Sequence, residues 1–161
     1  MEFVGKGPEH AAELSGYLYP IWHDVFDSLM PWDEAEYVFN SWNTPDAIVR
    51  AMSDGYEFGY IREGGIRIGL YSYRIQDDGR FCINKLYLER GYRGKGLGTI
   101  AIRMMFDIAR SNGCGEAYLS VYYKNSDAIK AYERAGMTGH RHRESIGSGY
   151  FRDEYVMSII L

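Results

Sequence analysis

The stretch LYLERGYRGKGLGTIAIRMM, residues 86–105, decides the fold because it joins two kinds of secondary structure through a glycine loop. Its first residues read as a β-strand, and its last residues are a run of helix formers. Between them lie four glycines within eight residues, together with Arg93 and Lys95. Glycine allows positive φ and close backbone approach, and the N–H groups at a helix N-terminus attract anions. The stretch therefore predicts a strand, a phosphate-binding loop and a helix.

The spacing of this loop excludes the two best-known nucleotide loops. A P-loop requires Ser or Thr directly after its glycine-lysine pair, whereas Gly96 follows Lys95 here. The Rossmann fingerprint requires GxGxxG after the first strand of a parallel unit. Here the order is Gly94-x-Gly96-x-Gly98, after three strands that tight turns connect. Kinase signatures beyond the loop are absent as well.

Periodicity and turn residues predict the other elements. Pro20 should kink or break the first helix, and Asn43 or Thr44 should cap the second piece of an interrupted second helix. The order β-αα-βββ-α-β-α-ββ predicts a mixed-sheet α/β protein with helices on both faces. The predicted strands cover residues 1–6, 56–63, 66–75, 81–89, 116–123 and a final hairpin, and the predicted helices cover 8–30, 33–52, 96–112 and 125–136.

Length and composition favour one domain spanning residues 1–161. No stretch approaches 18 consecutive apolar residues, so we expect no membrane span. The N-terminus, MEFVGKGPEH, lacks the profile of a signal peptide. Two cysteines, Cys82 and Cys114, occur without a CxxC pair, which favours buried free thiols over a disulfide. These features predict a cytoplasmic protein.

The charge is distributed unevenly along the chain. Residues 1–80 hold 6 Lys/Arg and 14 Asp/Glu, a net of −8, and residues 81–161 hold 12 and 8, a net of +4. Either the two halves present different solvated faces, or the second half binds an anion and the first half a cation. The acidic total of −4 argues against a nucleic-acid ligand.

Two motifs together resemble the GNAT superfamily of N-acetyltransferases. Arg93-x-x-Gly96-x-Gly98 resembles its acyl-CoA pyrophosphate loop, and Asn125, Ala128 and Tyr132, followed by Gly136-Met137, resemble its second motif, with Met in place of the usual Phe. The predicted element order matches the family fold over essentially the whole chain. The resemblance implies a GNAT fold with a splayed central sheet. It also implies direct acetyl transfer from acetyl-CoA to a primary amine in a ternary complex, without a metal.

The resemblance assigns the cofactor to two segments and one cap. The backbone of Leu86, Tyr87 and Leu88 would pair with the pantetheine arm like an added strand, and an N–H near Leu88 would polarise the thioester carbonyl. The same leucine side chains can also be core. Asn125 would bridge the cofactor and its helix start, or act as a simple N-cap. The pyrophosphate would lie on the loop residues Arg93, Gly94, Lys95, Gly96, Leu97, Gly98 and Thr99, with phosphate contact and plain solvation both open for the two cationic side chains.

Tyr132 matches the family's general acid, with a core tyrosine as the alternative, whereas the general base stays open. Ser120 stands where some members carry a glutamate, five residues before Asn125. Asn84 and Lys85 lie on the strand where other members carry one. Ser120 cannot serve as a base unaided, and Glu89, at the end of that strand, would lie too close to the cofactor loop. The candidates are a water chain or the side chains of Asp33, Glu34, Glu36, His23, His140 and His142.

The acceptor should be bound by residues 17–42, which are rich in aromatic and acidic residues. The walls of such a pocket would be Trp22, Trp32, Tyr37 and Trp42, with Asp33, Glu34 and Glu36 attracting an ammonium group. An ordinary amphipathic helix pair is the alternative. The acceptor would be a cationic small molecule, such as a polyamine, an amino acid derivative or an aminoglycoside, or else a protein N-terminus or lysine.

Two rival functions stay open on the same fold. One is a catalytically silent acyl-CoA-binding sensor, and the other transfers an aminoacyl or longer acyl group. Members of the family are often homodimers, which the exposed final strands would permit.

Overall fold

A computed structural model describes the whole chain, residues 1–161, as seven strands and five α-helices. The strands are β1 (Glu2–Lys6), β2 (Glu57–Glu63), β3 (Ile66–Ile75), β4 (Arg80–Leu88), β5 (Glu116–Tyr122), β6 (Thr138–Gly147) and β7 (Tyr150–Ile160). The helices are α1 (Ala11–Phe26), α2 (Trp32–Trp42), α3 (Pro45–Ser53), α4 (Leu97–Ser111) and α5 (Ser126–Arg134), with short 3-10 turns at Pro8–His10 and Arg90–Tyr92.

The N-terminal region contains three α-helices, whereas the predicted order has two. The predicted second helix is divided where its interruption was expected: α2 ends at Trp42, and Thr44 caps α3 with Pro45 in the first helical position. The Thr44 hydroxyl accepts a hydrogen bond from the Ala47 N–H at 3.2 Å. A capping side chain followed by proline therefore starts a separate helix.

Helix α1 continues through Pro20, so a break at this residue is wrong. The buried side chains of Leu18 and Ile21 hold the helix on either side of the proline. Proline has no N–H to donate one turn back, so the Gly16 carbonyl loses its intrahelical donor.

The strand order is β1-β2-β3-β4-β5-β7-β6. Strands β4 and β5 pair in parallel, and the pairs β1–β2, β2–β3, β5–β7 and β6–β7 are antiparallel. The predicted mixed-sheet α/β class is thus confirmed.

Contacts divide the chain into two compact units. The first unit comprises Met1–Arg74 and Lys85–Lys95, and the second comprises Ile75–Asn84 and Gly96–Leu161. The first contains β1, α1, α2, α3, β2, most of β3 and the end of β4. Its core includes the fully buried side chains of Leu14, Leu18, Phe58, Tyr60, Ile61, Ile68 and Leu70.

The second unit contains the start of β4, then α4, β5, α5, β6 and β7. Helix α4 packs against β5 and α5. Its buried side chains include Ala101, Met105 and Phe106, whereas Ile100 is exposed. The core also includes Phe81, Ala117, Leu119 and Met157.

The parallel ladder between β4 and β5 is short. It runs from Arg80↔Glu116 to Cys82↔Tyr118, and residues 119–122 of β5 carry no pairing with β4. Strand β4 is also irregular, because Phe81, Ile83 and Lys85 are buried alternately and the next buried residue is Leu88. Such a change of phase is typical of a bulge.

Both cysteines are free thiols, as predicted, but only Cys114 is buried and Cys82 is half-buried. None of the helices combines the length and the apolar character that crossing a membrane requires.

Candidate functional site

The glycine loop ends in a helix start that no side chain caps. Gly94 and Gly96 adopt φ of 71° and 82°, in the left-handed region that favours glycine. Gly96 is the N-cap of α4 and supplies no side-chain acceptor to the first N–H groups of the helix, which begins at Leu97. Those N–H groups, including those of Gly98 and Thr99, have no intrahelical partner and carry partial positive charge. The local geometry fits an anionic group such as a diphosphate.

Arg93 connects the loop to the end of β4 through a hydrogen bond. Its Nε donates a hydrogen bond to the Leu88 carbonyl at 2.8 Å, so this carbonyl is not a free backbone group as the strand-addition interpretation expected. The side chain is half-buried, and burial lowers the pKa of its guanidinium. One terminal nitrogen is buried without a hydrogen-bond partner, which leaves a donor for an anion. Lys95 is exposed, with its ammonium 6.0 Å from the Tyr92 ring.

A glycine of β3 permits a close approach to the end of β4. A Cβ at Gly69 would lie 2.3 Å from the Tyr87 carbonyl oxygen and 2.9 Å from a Leu88 side-chain carbon. The Tyr87 ring lies 6.1 Å from the ring of Trp22, within an aromatic cluster on α1. Leu86 is half-buried and Leu88 is buried, so the leucine side chains contribute to the core and the proposed cofactor contacts fall to the backbone.

The first unit contains a polar cavity of about 470 Å³ beside α1. The Tyr17 hydroxyl donates to Glu89 at 2.6 Å, and the Tyr60 hydroxyl donates to Glu13 at 2.8 Å. Burial and these carboxylates raise the pKa of both phenols, so both stay protonated. The Arg67 guanidinium lies 3.9 Å from the Tyr17 ring centroid. The lining residues are Glu13, Gly16, Tyr17, Pro20, Ile21, Arg67 and Glu89.

The aromatic and acidic residues of positions 17–42 form a different arrangement from the predicted pocket. Trp22 is a core residue, because its indole N–H donates to the Ala35 carbonyl at 2.9 Å and its side chain is buried. Trp32 is 60% exposed and stacks on His23 at 5.7 Å. His23 Nδ1 lies 2.5 Å from an Asp27 carboxylate oxygen. The Tyr19 hydroxyl donates to Glu36, Trp42 is exposed, and Tyr37 is half-buried. The acidic and histidine candidates of this region are surface or half-buried groups around α2, and none of them lines the cavity. They are Asp33, Glu34, Glu36 and His23.

In the second unit the motif residues lie at the start, in the body and just after the end of α5. Asn125 is the N-cap, and its side-chain oxygen accepts from the Ala128 N–H at 3.4 Å. Tyr132 is half-buried on α5, and burial raises its pKa to about 12. Gly136 ends the helix with φ of 100°, and Met137 is buried where the family motif has Phe.

The side chains on the strand where other family members carry a glutamate, and the two histidines of the final hairpin, differ in their surroundings. Lys85 is buried, and burial lowers its pKa to about 8. Asn84, His140 and His142 are exposed. No group of three or more His, Cys, Asp or Glu side chains is arranged to hold a metal ion.

Sequence reasoning missed one carboxylate beside Ser120. The Ser120 hydroxyl donates a hydrogen bond to Glu154, a half-buried residue of β7. Glu154 is 34 positions away along the chain, so no local motif connects the two. The one signal in the sequence was the alternation of side chains along the final strand, which places Glu154 on one face of that strand. Without the strand register, this alternation does not show that Glu154 lies beside Ser120.

Comparisons with known proteins agree with the resemblance of the motifs. The family described as acetyltransferase (GNAT) matches residues 20–137. Streptothricin acetyltransferase of Streptomyces lavendulae is 40% identical over 57 residues, which are 35% of this chain and 30% of that protein. Spermine/spermidine N(1)-acetyltransferase of Bacillus subtilis is 31% identical over 71 residues, 42% of this chain and 47% of that protein. The matched segments thus span less than half the length of these curated relatives.

A solved structure extends the similarity of fold to the full length of the chain. The crystal structure of PaiA N-acetyltransferase from Thermoplasma acidophilum, in complex with coenzyme A, superposes with a TM-score of 0.74. It is 16% identical and covers 100% of both chains. The fold and the family match over most of the chain lead to one conclusion: this chain belongs to the acetyltransferase (GNAT) family.

Proposed function

We propose that this chain is an acetyl-CoA-dependent N-acetyltransferase that acts on a primary amine by direct transfer in a ternary complex. The observation that carries the proposal is the uncapped start of α4 behind Gly94 and Gly96, which offers converging N–H groups to a diphosphate. Membership of the acetyltransferase family supports the reaction class. The coenzyme A complex of the PaiA protein supports the cosubstrate.

We assign the cofactor contacts to the strand end before the loop, to the loop itself and to the cap of α5. Backbone groups of Leu86–Leu88 would pair with the pantetheine arm, although the Leu88 carbonyl already accepts from Arg93. The loop residues Arg93–Thr99 would hold the pyrophosphate, with the unpartnered Arg93 nitrogen as a further donor. Asn125 would contact the cofactor while it caps α5.

Tyr132 would act as the general acid. The amine nitrogen attacks the thioester carbonyl carbon, the C–N bond forms and the C–S bond breaks. Tyr132 donates its proton to the leaving thiolate and recovers one from the nitrogen of the product. A phenol with a pKa of about 12 remains protonated at neutral pH, as a donor must.

We propose a cationic amine as the acceptor. The cavity beside α1 carries the carboxylates of Glu13 and Glu89, and the helical Pro20 leaves the Gly16 carbonyl without its usual donor. Arg67 offsets part of this negative charge. A relative named for spermine and spermidine, which are cationic polyamines, supports this class. A protein N-terminus or lysine is the second class to test.

Calorimetric titration with acetyl-CoA, followed by thiol release with a panel of amines, tests this function. The panel contains polyamines, aminoglycosides, amino acid derivatives and lysine peptides. We expect binding at micromolar concentration and thiol release with at least one cationic amine. Absence of binding at high micromolar concentration would overturn the proposal.

A catalytically silent acyl-CoA sensor is the second candidate, because Ser120 replaces the glutamate that some family members carry. Retention of Tyr132 favours the enzyme. Binding of acetyl-CoA without thiol release across the amine panel would favour the sensor. Replacing acetyl-CoA with longer acyl thioesters in the same assay tests the third function, transfer of another acyl group.

We further propose that the protein is a single domain and works in the cytoplasm as a homodimer. The free thiols of Cys82 and Cys114 suit a reducing compartment. Strand β6 is last in the strand order and exposed along residues 138–145, which leaves an edge for a second copy. Light scattering after size exclusion should give twice the mass of one 18.5 kDa chain, and a monomer mass would contradict the dimer.

A further inference from the structure

The last residues of β5, 119–122, follow the end of its ladder with β4, which stops at Tyr118. They continue the antiparallel ladder with β7. In this segment Leu119 and Val121 are buried, whereas Ser120 is exposed and Tyr122 is half-buried. Because side chains alternate along a strand, Ser120 and Tyr122 share the more accessible face.

The neighbouring strand β7 supplies a carboxylate to that face. Ser120 is opposite Val156 and Tyr122 is opposite Glu154 in the antiparallel register. Residues directly opposite each other lie on the same face, and the diagonal neighbour lies within reach. Glu154 therefore lies beside both side chains, and the Ser120 hydroxyl donates a hydrogen bond to it.

The surroundings of Glu154 leave its carboxylate only partly neutralised. Its side chain is 17% exposed, and Arg152 Nε lies 3.1 Å from Oε1. From β6, His142 is opposite it in the ladder, and Glu144 lies nearby and pairs with the same arginine at 3.0 Å. Burial raises the pKa of Glu154, and Glu144 adds to the increase, whereas Arg152, Ser120 and His142 oppose it. The result is a stronger proton acceptor than an ordinary surface glutamate.

We propose that Glu154 is the general base of the transfer, supplied by β7 where β5 carries only Ser120. This inference rests on the proposed function. Glu154 takes one proton from the acceptor ammonium and later releases it to solvent. The free amine then attacks the thioester, and its second proton replaces the one that Tyr132 donates to the thiolate. Ser120 orients the carboxylate through its hydrogen bond.

The other candidates are less suitable as bases in their observed surroundings. Glu89 already accepts a short hydrogen bond from Tyr17. Lys85 is buried, and His140 and His142 are exposed on an edge strand. Glu154 combines partial burial, an ionisable carboxylate and a position beside residues 119–122 of β5, which lie beyond the ladder with β4.

Glu154→Gln tests the proposal directly in the full-length protein. We expect unchanged acetyl-CoA affinity by calorimetry and a loss of kcat of about 10²–10⁴-fold with the best amine of the panel. The acid limb of the pH profile of kcat/KM should move up to the pKa of the acceptor ammonium, because the variant can use only the amine that has already lost its proton to solvent. Glu144→Gln is the matched control, because it also removes a carboxylate from Arg152, and its kcat should stay within about twofold of the original.

Two further variants separate a catalytic role from a structural one. In Glu154→Ala, added formate should restore part of the rate, because a small carboxylate can replace the missing base. In Ser120→Ala the acid limb should move to higher pH, because the Ser120 hydrogen bond lowers the pKa of Glu154. The pH profile of Ser120→Ala still tests the proposal if substitution of Glu154 prevents folding.

The outcomes distinguish this inference from the proposed function. If the unaltered protein binds acetyl-CoA and acetylates an amine while Glu154→Gln keeps its rate and pH profile, Glu154 is not the base and the function stands. An acid limb that Ser120→Ala leaves in place would also overturn the inference. If the unaltered protein releases no thiol with any amine, both proposals fail together.

Discussion

Burial alone shifts the pKa of two side chains, Tyr132 and Lys85, and the two shifts have different consequences. In Tyr132, burial keeps the phenol protonated and suits it to donate a proton. In Lys85, burial opposes the charged form, and no acidic partner compensates. The first effect should appear in catalysis and the second in stability.

Tyr132→Phe should lower kcat by about 10²–10⁴-fold without changing the affinity for acetyl-CoA, because only the proton donor is removed. Because the pKa of Tyr132 is raised to about 12, its protonation should not limit the unaltered enzyme anywhere below that pH. Steady-state kinetics and calorimetry check both statements. Tyr155→Phe, another half-buried tyrosine of the second unit, is the control. Equal rates in the Tyr132 variant and the control would remove Tyr132 from the mechanism.

Lys85→Met should stabilise the protein at neutral pH. The folded-state pKa of Lys85 falls from 10.5 to about 8, so the cost of the buried charge is fully present below pH 8. This cost is on the order of 3 kcal/mol and vanishes as the pH rises through the unfolded value. Urea unfolding should therefore show a gain for the variant at pH 7 that shrinks towards pH 10.5. Lys130→Met, at an exposed position, should show no such pH dependence. A gain that is independent of pH would contradict this account.

At the scale of the elements, two glycines fix the backbone on either side of the proposed cofactor loop. Gly69 permits β3 to approach the end of β4, and Gly96 begins α4 with a positive φ. A side chain at the first position would overlap with backbone, and at the second it would strain the helix start. The two defects should have different effects.

Gly69→Ala should destabilise the protein by about 1–3 kcal/mol and weaken acetyl-CoA binding, because the new Cβ would overlap with the Tyr87 carbonyl. Gly5→Ala is the control, since its Cβ would find only an ordinary contact at 3.7 Å. Urea unfolding and calorimetry measure the two effects. Unchanged stability in Gly69→Ala would show that β3 adjusts without cost.

Gly96→Ala should weaken acetyl-CoA binding more than it lowers stability. Alanine in the left-handed region costs about 1–2 kcal/mol, and relaxing that strain would turn the first N–H groups of α4 away from the diphosphate. Gly115→Ala, which has no positive φ and open space around its Cβ, is the control. If the two variants bind acetyl-CoA with equal affinity, the loop does not hold the diphosphate as we propose.

For the whole molecule, the single-domain proposal predicts one unfolding transition. All three tryptophans, at positions 22, 32 and 42, lie in the first unit, whereas Cys82 and Cys114 lie in the second. Tryptophan fluorescence and thiol accessibility therefore report on different units. We expect the two probes to give the same urea midpoint, as a two-state domain requires. Separate midpoints would show that the units unfold independently.

The local signals in the sequence predicted most elements of the fold. Asn125, Thr44 and Gly136 mark helix ends through their own side chains or their own φ, so they can be recognised without tertiary structure. One error arose where packing overrode a local rule. Pro20 remains inside α1, because buried side chains on either side of it hold the helix against the core.

The sequence by itself determined the family and the motif residues, because the loop at Arg93–Gly98 and the motif at Asn125–Tyr132 are each encoded within a dozen positions. Only the tertiary structure decided which distant groups meet. Tyr17 is hydrogen-bonded to Glu89, which lies 72 residues further along the chain. Ser120 is hydrogen-bonded to Glu154, which lies 34 residues further along. The physical reason is that strand register and helix packing select these partners. A change of register by one residue would move Glu154 to the opposite face of its strand.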